Sequence, residues 1–84
     1  MLTIHYFASV REALSKNQEQ IELPDSVSSV AELINHLAET NPDSRALFEA
    51  ENKLLVAVNQ TVVDRNFTLS DNDEVAFFPP MTGG

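Results

Sequence analysis

The sequence contains no cysteine. A disulfide framework, a thiolate metal site and a cysteine nucleophile are all excluded by that absence. Tryptophan is missing too, and glycine occurs only twice in 84 residues, as Gly83 and Gly84. A chain so poor in glycine has no internal loop of the kind that cradles phosphate. Basic residues are few, five against thirteen acidic ones, giving a formal net charge of −8. Such a surface is repelled by phosphate backbones and anionic membranes, so no nucleic acid and no membrane is expected as a partner. A positively charged protein is the better match. No apolar run approaches the roughly 20 residues that span a bilayer. The opening Met1-Leu2-Thr3-Ile4-His5 has neither the basic nor the apolar region of a signal peptide, and a cytoplasmic location is expected. His5 and His36 have no evident partner, and Asp71, Asp73 and Glu74 lack the glycine and distal glutamate of a calcium loop. Nothing assembles a nucleophile, a base and an oxyanion hole, so catalysis by this chain alone is not expected.

What is present is a globular balance, 43% hydrophobic and 21% charged. A chain of this size buries about 60–65% of its unfolded surface, which suffices for one core and one domain. Leu2, Ile4 and Tyr6 alternate with Thr3, His5 and Phe7 in the period of a strand. Ser9-Val10-Arg11-Glu12 has the form of a capping box opening a short helix, with Val10, Ala13 and Leu14 on one side. Gln20-Ile21-Glu22-Leu23 alternates again up to Pro24, and its outward glutamates suit a sheet edge. A second capping box, Ser29-Val30-Ala31-Glu32, precedes the stripe Val30, Leu33, Ile34, Leu37, Ala38. That spacing predicts a helix over 29–40, stopped by Pro42. Residues 43–50 are expected to add a helical turn or two, with Leu47 and Phe48 inward.

Residues 54–58 are a continuous apolar run of strand length. Asn59-Gln60 is a turn, since Asn tolerates the left-handed conformation, and Thr61-Val62-Val63 returns. Asp71-Asn72-Asp73 makes another turn, and the last strand, Glu74–Phe78, is ended by Pro79-Pro80. One long helix must then cover one face of a mixed sheet. The fold class is α+β, in the β-grasp arrangement, with the first and last strands parallel at the centre. Residues 1–78 form the domain and 79–84 an extended tail.

The end of the chain, Phe77-Phe78-Pro79-Pro80-Met81-Thr82-Gly83-Gly84, is its most informative segment. Diproline stiffens the exit, and six residues reach roughly 20 Å. Without side chains, Gly83 and Gly84 can thread a channel too narrow for other residues and present a carboxylate at its far end. If Val75 and Phe77 face the helix, Ala76 and Phe78 face the other way, as do Phe7 and Val62. Phe7, Val62 and Phe78 are the expected apolar patch for a partner.

Tyr6-Phe7-Ala8-Ser9-Val10-Arg11-Glu12, Ala57-Val58-Asn59-Gln60 and the segment from Asp73 to Gly84 closely resemble the molybdopterin synthase small-subunit family, the sulfur carriers of molybdenum cofactor synthesis. The resemblance runs the full length of the chain. Asn72 stands where the family usually has Gly, and Met81 where it commonly has Val. The resemblance implies a ubiquitin-like β-grasp fold and no cofactor bound to the chain itself. It implies that a partner adenylyltransferase of the ubiquitin-activating type uses ATP to convert the Gly84 carboxylate to an acyl-adenylate. A sulfur donor system then supplies sulfur in place of AMP. The resulting thiocarboxylate, with Pro79, Pro80, Met81, Thr82 and Gly83 inserted in the large synthase subunit, donates sulfur to cyclic pyranopterin monophosphate. Two small subunits on a dimer of large ones are expected. A thiamine-type sulfur carrier and a protein modifier conjugated through Gly84 remain alternatives.

Overall fold

In the computed structural model the described residues are 1–42 and 54–79. The elements follow one another as β1 (Leu2–Tyr6), α1 (Ala8–Leu14), β2 (Gln18–Ile21), α2 (Val30–Thr40), β3 (Leu55–Val58), β4 (Thr61–Val63) and β5 (Glu74–Phe78). The strands form one five-stranded sheet in the order β2-β1-β5-β3-β4. The first and last strands pair in parallel at its middle, as the sequence predicts, and the other pairings are antiparallel. The helical turns expected over residues 43–50 lie outside the described residues.

The core occupies one face. Leu2, Ile4 and Tyr6 from β1, Val56 and Val58 from β3, and Val75 and Phe77 from β5 pack with Leu33 and Leu37 of α2 in a single cluster. Phe77 and Tyr6 are almost wholly buried and their rings stack at 6.1 Å. Full burial of each such side chain contributes on the order of 2–3 kcal/mol. α2 starts as its sequence requires: the Ser29 side chain accepts from the Glu32 N–H, and the Glu32 carboxylate accepts from the Ser29 N–H. These reciprocal bonds satisfy helix-end donors that otherwise have no partner. Hydrogen bonds from Ser28 and Ser29 hold the Glu32 carboxyl below its ordinary pKa.

Two local expectations are corrected. Ser9 does not cap α1. The helix begins one residue before it, with Phe7 in the cap position and no side-chain cap bond. The reason is non-local: the Phe7 N–H donates to Phe77 O at 3.1 Å, prolonging the β1–β5 ladder, so the chain stays extended through Phe7. It then turns abruptly at Ala8, whose φ is 52°. β2 lies earlier than its alternation suggests, spanning Gln18–Ile21 rather than residues 20–23. The register pairs Ile4 with Glu19 and Leu2 with Ile21, which puts Glu19 on the core face, where it accepts a hydrogen bond from the Tyr6 hydroxyl. A buried phenol needs such an acceptor. Burial first, and the Glu19 carboxylate second, push the Tyr6 hydroxyl far above its ordinary pKa. β2 is nevertheless an edge strand, as expected.

Candidate functional site: the uncovered face of the sheet

The opposite face of the sheet is built by the other half of each alternation. α1 and α2 send their buried side chains into the core, leaving this face open. At its centre Ala57 of β3 and Ala76 of β5 are register partners, and Ala57 in turn pairs with Val62 of β4. Two small side chains side by side lower the floor between larger neighbours. The result is a depression of about 510 Å³, with His5, Phe7, Gln60, Val62, Glu74 and Phe78 around the alanines.

Phe7, Val62 and Phe78, taken from three distant stretches of sequence, thus border one feature. The Phe7 and Phe78 rings stack almost parallel, at 4.8 Å and 7°. Phe7 remains 42% exposed and Val62 69%, although both are apolar. Leaving that surface in water is unfavourable by roughly 25 cal/mol for each Å², so the face is suited to being covered. The turn at Ala8 is what sets Phe7 there: its N–H is held by β5, while its carbonyl accepts from Val10 and Arg11. A non-glycine residue at positive φ costs about 1–2 kcal/mol, and here the strained residue adjoins the exposed ring.

Polar contacts fix the turns that lead into and adjoin β5. Asn59, at φ 50°, donates through its side-chain amide to Asp73 at 3.0 Å and accepts from the Glu74 N–H at 3.0 Å. The β3–β4 turn is thereby tied to the start of β5. Asp73 also accepts from the Ser70 N–H, and Asn72 adopts φ 72°, the geometry for which Asn is the best substitute for Gly. The Met1 ammonium donates to Asp71 at 2.6 Å, which holds that carboxyl below its ordinary pKa. Among the described residues no group of three or more metal-ligating side chains converges.

Pro79 follows β5 directly and is half-buried. Pro80, Met81, Thr82, Gly83 and Gly84 lie outside the described residues. The strand parity that places His5 on this face with Phe7 holds, and the two rings lie 6.4 Å apart. Sequence reasoning placed Ala76 on this face beside Phe78, but it did not identify Ala57, Gln60 or Glu74; strand alternation carries the signal for Glu74, whereas Ala57 and Gln60 need the sheet order.

A mixed five-stranded sheet with parallel central strands, one long helix on one face and an exposed apolar patch on the other defines a ubiquitin-like β-grasp domain. No helix among the described residues is long and apolar enough to cross a membrane. The ThiS family model matches residues 4–84. The chain is 43% identical to the molybdopterin synthase sulfur carrier subunit of Escherichia coli, covering all of both chains. The small archaeal modifier protein 1 of Haloferax volcanii has a similar fold, with TM-score 0.81 at 19% identity over 95% of this chain and 97% of that one. Subunit 1 and subunit 2 of the molybdopterin-converting factor from Helicobacter pylori have been solved as a complex, which matches at TM-score 0.63 and 19% identity over 99% of this chain and 97% of the matched one. The chain belongs to the ThiS family, on the branch of the molybdopterin synthase sulfur carrier subunits.

Proposed function

We propose that this chain is the sulfur-carrier subunit of a molybdopterin synthase and that the Gly84 carboxylate carries the sulfur. One observation carries the reading: the central strand β5 ends at Phe78, on the uncovered apolar face, and its sequence runs on within six residues to the two glycines of the chain. A docking face and a slender reactive terminus on one strand suit a protein that is charged by one partner and discharged by another. Residues 1–78 are then the docking domain, and 79–84 the inserted tail.

The chemistry follows from the carboxylate. One Gly84 oxygen attacks the α-phosphorus of ATP in the adenylyltransferase, and pyrophosphate leaves. A sulfur nucleophile from the donor system attacks the acyl carbon, and AMP leaves with the oxygen that the phosphorus had taken. The thiocarboxylate is ionised at neutral pH and nucleophilic through sulfur. In the large subunit the sulfur attacks a carbon of cyclic pyranopterin monophosphate, and an oxygen substituent of that carbon leaves. Water then hydrolyses the acyl–sulfur bond, which frees the sulfur on the pterin and regenerates the Gly84 carboxylate. A second charged carrier repeats the transfer to complete the dithiolene. Splitting a difficult substitution into two easier ones is the logic of covalent catalysis. The catalytic side chains belong to the partners, and the chain acts in the cytoplasm, in an assembly of two small subunits with two large ones, without a cofactor of its own. Phe7, Val62 and Phe78 dock both partners in turn.

Intact-mass measurement tests the reading. Incubated with ATP, the adenylyltransferase and a sulfur donor, the protein should gain the mass difference between sulfur and oxygen. A variant lacking Gly84 should gain nothing and support no molybdopterin formation. Sulfur uptake by the shortened chain, or a product joined only to lysines of other proteins, would refute it.

A further inference from the structure

The turn between β3 and β4 contains a residue that the fold itself does not explain. Both central residues, Asn59 and Gln60, have positive φ, 50° and 71°. That is the pattern of the hairpin turn whose preferred sequence is Asn-Gly, because glycine occupies the second position without steric penalty. Asn59 is accounted for, since it tolerates the geometry and its amide ties the turn to Asp73 and Glu74. Gln60 is different. It has a longer side chain, no special tolerance of the left-handed region, and no side-chain hydrogen bond among the described residues. Its side chain is exposed and borders the depression beside Val62.

We infer that Gln60 is a docking residue of the uncovered face: its amide hydrogen-bonds a main-chain peptide group of the large synthase subunit while an apolar side chain of that subunit fills the depression over Ala57 and Ala76. The inference rests on the reading of this chain as a synthase subunit. Three features select this occupant. A carboxamide both donates and accepts, so it matches a peptide group rather than a charged side chain. The alanine floor between Phe78 and Val62 leaves room for an apolar side chain. The turn is pinned to β5 through Asn59, so the backbone that carries Gln60 is fixed beside the strand that leads to the tail. A rigid mount reduces the ordering cost of the bond it makes on docking.

Stability and binding move in opposite directions under this inference. Gln60→Gly relieves the backbone strain, and its thermal midpoint should rise by about 4 °C or more. Its Kd for the large subunit encoded in the same genome should nevertheless increase by about 3- to 10-fold, the range for one neutral hydrogen bond. Gln60→Ala keeps the strain and removes the amide, so it should show the same loss of binding without the gain in midpoint. Titration calorimetry of both variants, with Phe78→Ala as the reference, separates the outcomes. If the Gln60 variants bind as wild type does while Phe78→Ala binds poorly, the role of Gln60 is refuted and the docking face stands. If all three bind normally, the docking face falls and the inference with it.

Discussion

Phe77 and Phe78 are adjacent in sequence and lie on opposite faces of β5, so the same substitution at each should produce opposite results. Phe77 is wholly buried and stacked on Tyr6. Truncation to alanine leaves a cavity and should cost about 3–5 kcal/mol. A chain of this length has about 4–13 kcal/mol in total, so Phe77→Ala would stand near the edge of folding. Phe78 is half-buried against Phe7, with ring centroids at 4.8 Å. Its stack is worth about 0.5–1.5 kcal/mol beyond the area it covers, and Phe78→Ala should cost only about 1–2 kcal/mol of stability. Binding reverses the order. An aromatic anchor at the centre of an interface contributes about 2 kcal/mol or more, so the Kd of Phe78→Ala for the large subunit should rise about 30-fold. Urea unfolding followed by circular dichroism gives the first quantity and titration calorimetry of the folded protein the second. A cycle with Phe7→Ala should return a coupling energy near that of the stack. The reasoning fails if Phe78→Ala unfolds as readily as Phe77→Ala and the folded fraction binds the large subunit with an unchanged Kd.

Tyr6 is the only tyrosine and tryptophan is absent, so ultraviolet absorbance reports its ionisation alone. Because burial and Glu19 favour the neutral phenol, its contribution to stability should be complete below pH about 10 and disappear as pH rises further; an alkaline unfolding curve that is unchanged in Tyr6→Phe would contradict this. Ser29→Ala should cost about 1 kcal/mol through the lost capping box, whereas Ser9→Ala, inside a helix capped by no side chain, should stay within about 0.5 kcal/mol; equal losses in chemical denaturation would restore Ser9 as a cap. The charge of −8 should steer the domain to a basic partner, so stopped-flow association should slow about tenfold between low and near-physiological salt while dissociation changes little. A salt-independent association rate would leave the acidity without a role in docking.

Local signals were legible wherever local chemistry decides the structure. The stripe from Val30 to Ala38 and the Ser29–Glu32 box specify α2 because both act within a turn or two of helix. The two-residue period assigns Tyr6 and Phe77 to the core, and Phe7 and Phe78 to the other face, since side-chain direction in a strand is a matter of parity. The start of α1 was not legible, because Phe7 is held extended by a bond to Phe77, seventy residues away. The Tyr6–Glu19 hydrogen bond was not legible for a related reason: it depends on the antiparallel register that pairs Glu19 with Ile4, which no neighbouring residue announces. The depression shows the same limit. Ala57 and Ala76 become a floor only once β3 and β5 are side by side.

The double pairing of β5 also has a mechanical consequence. Held by β1 on one side and β3 on the other, this strand can be drawn along its length only by shearing two ladders at once. Tension on the residues beyond Phe78 therefore enters the stiffest part of the molecule instead of peeling away an edge. In the proposed role the domain is a stop as well as a handle. It sets the depth to which the tail can be inserted, about 20 Å at full extension, and withdrawal requires the whole face to let go.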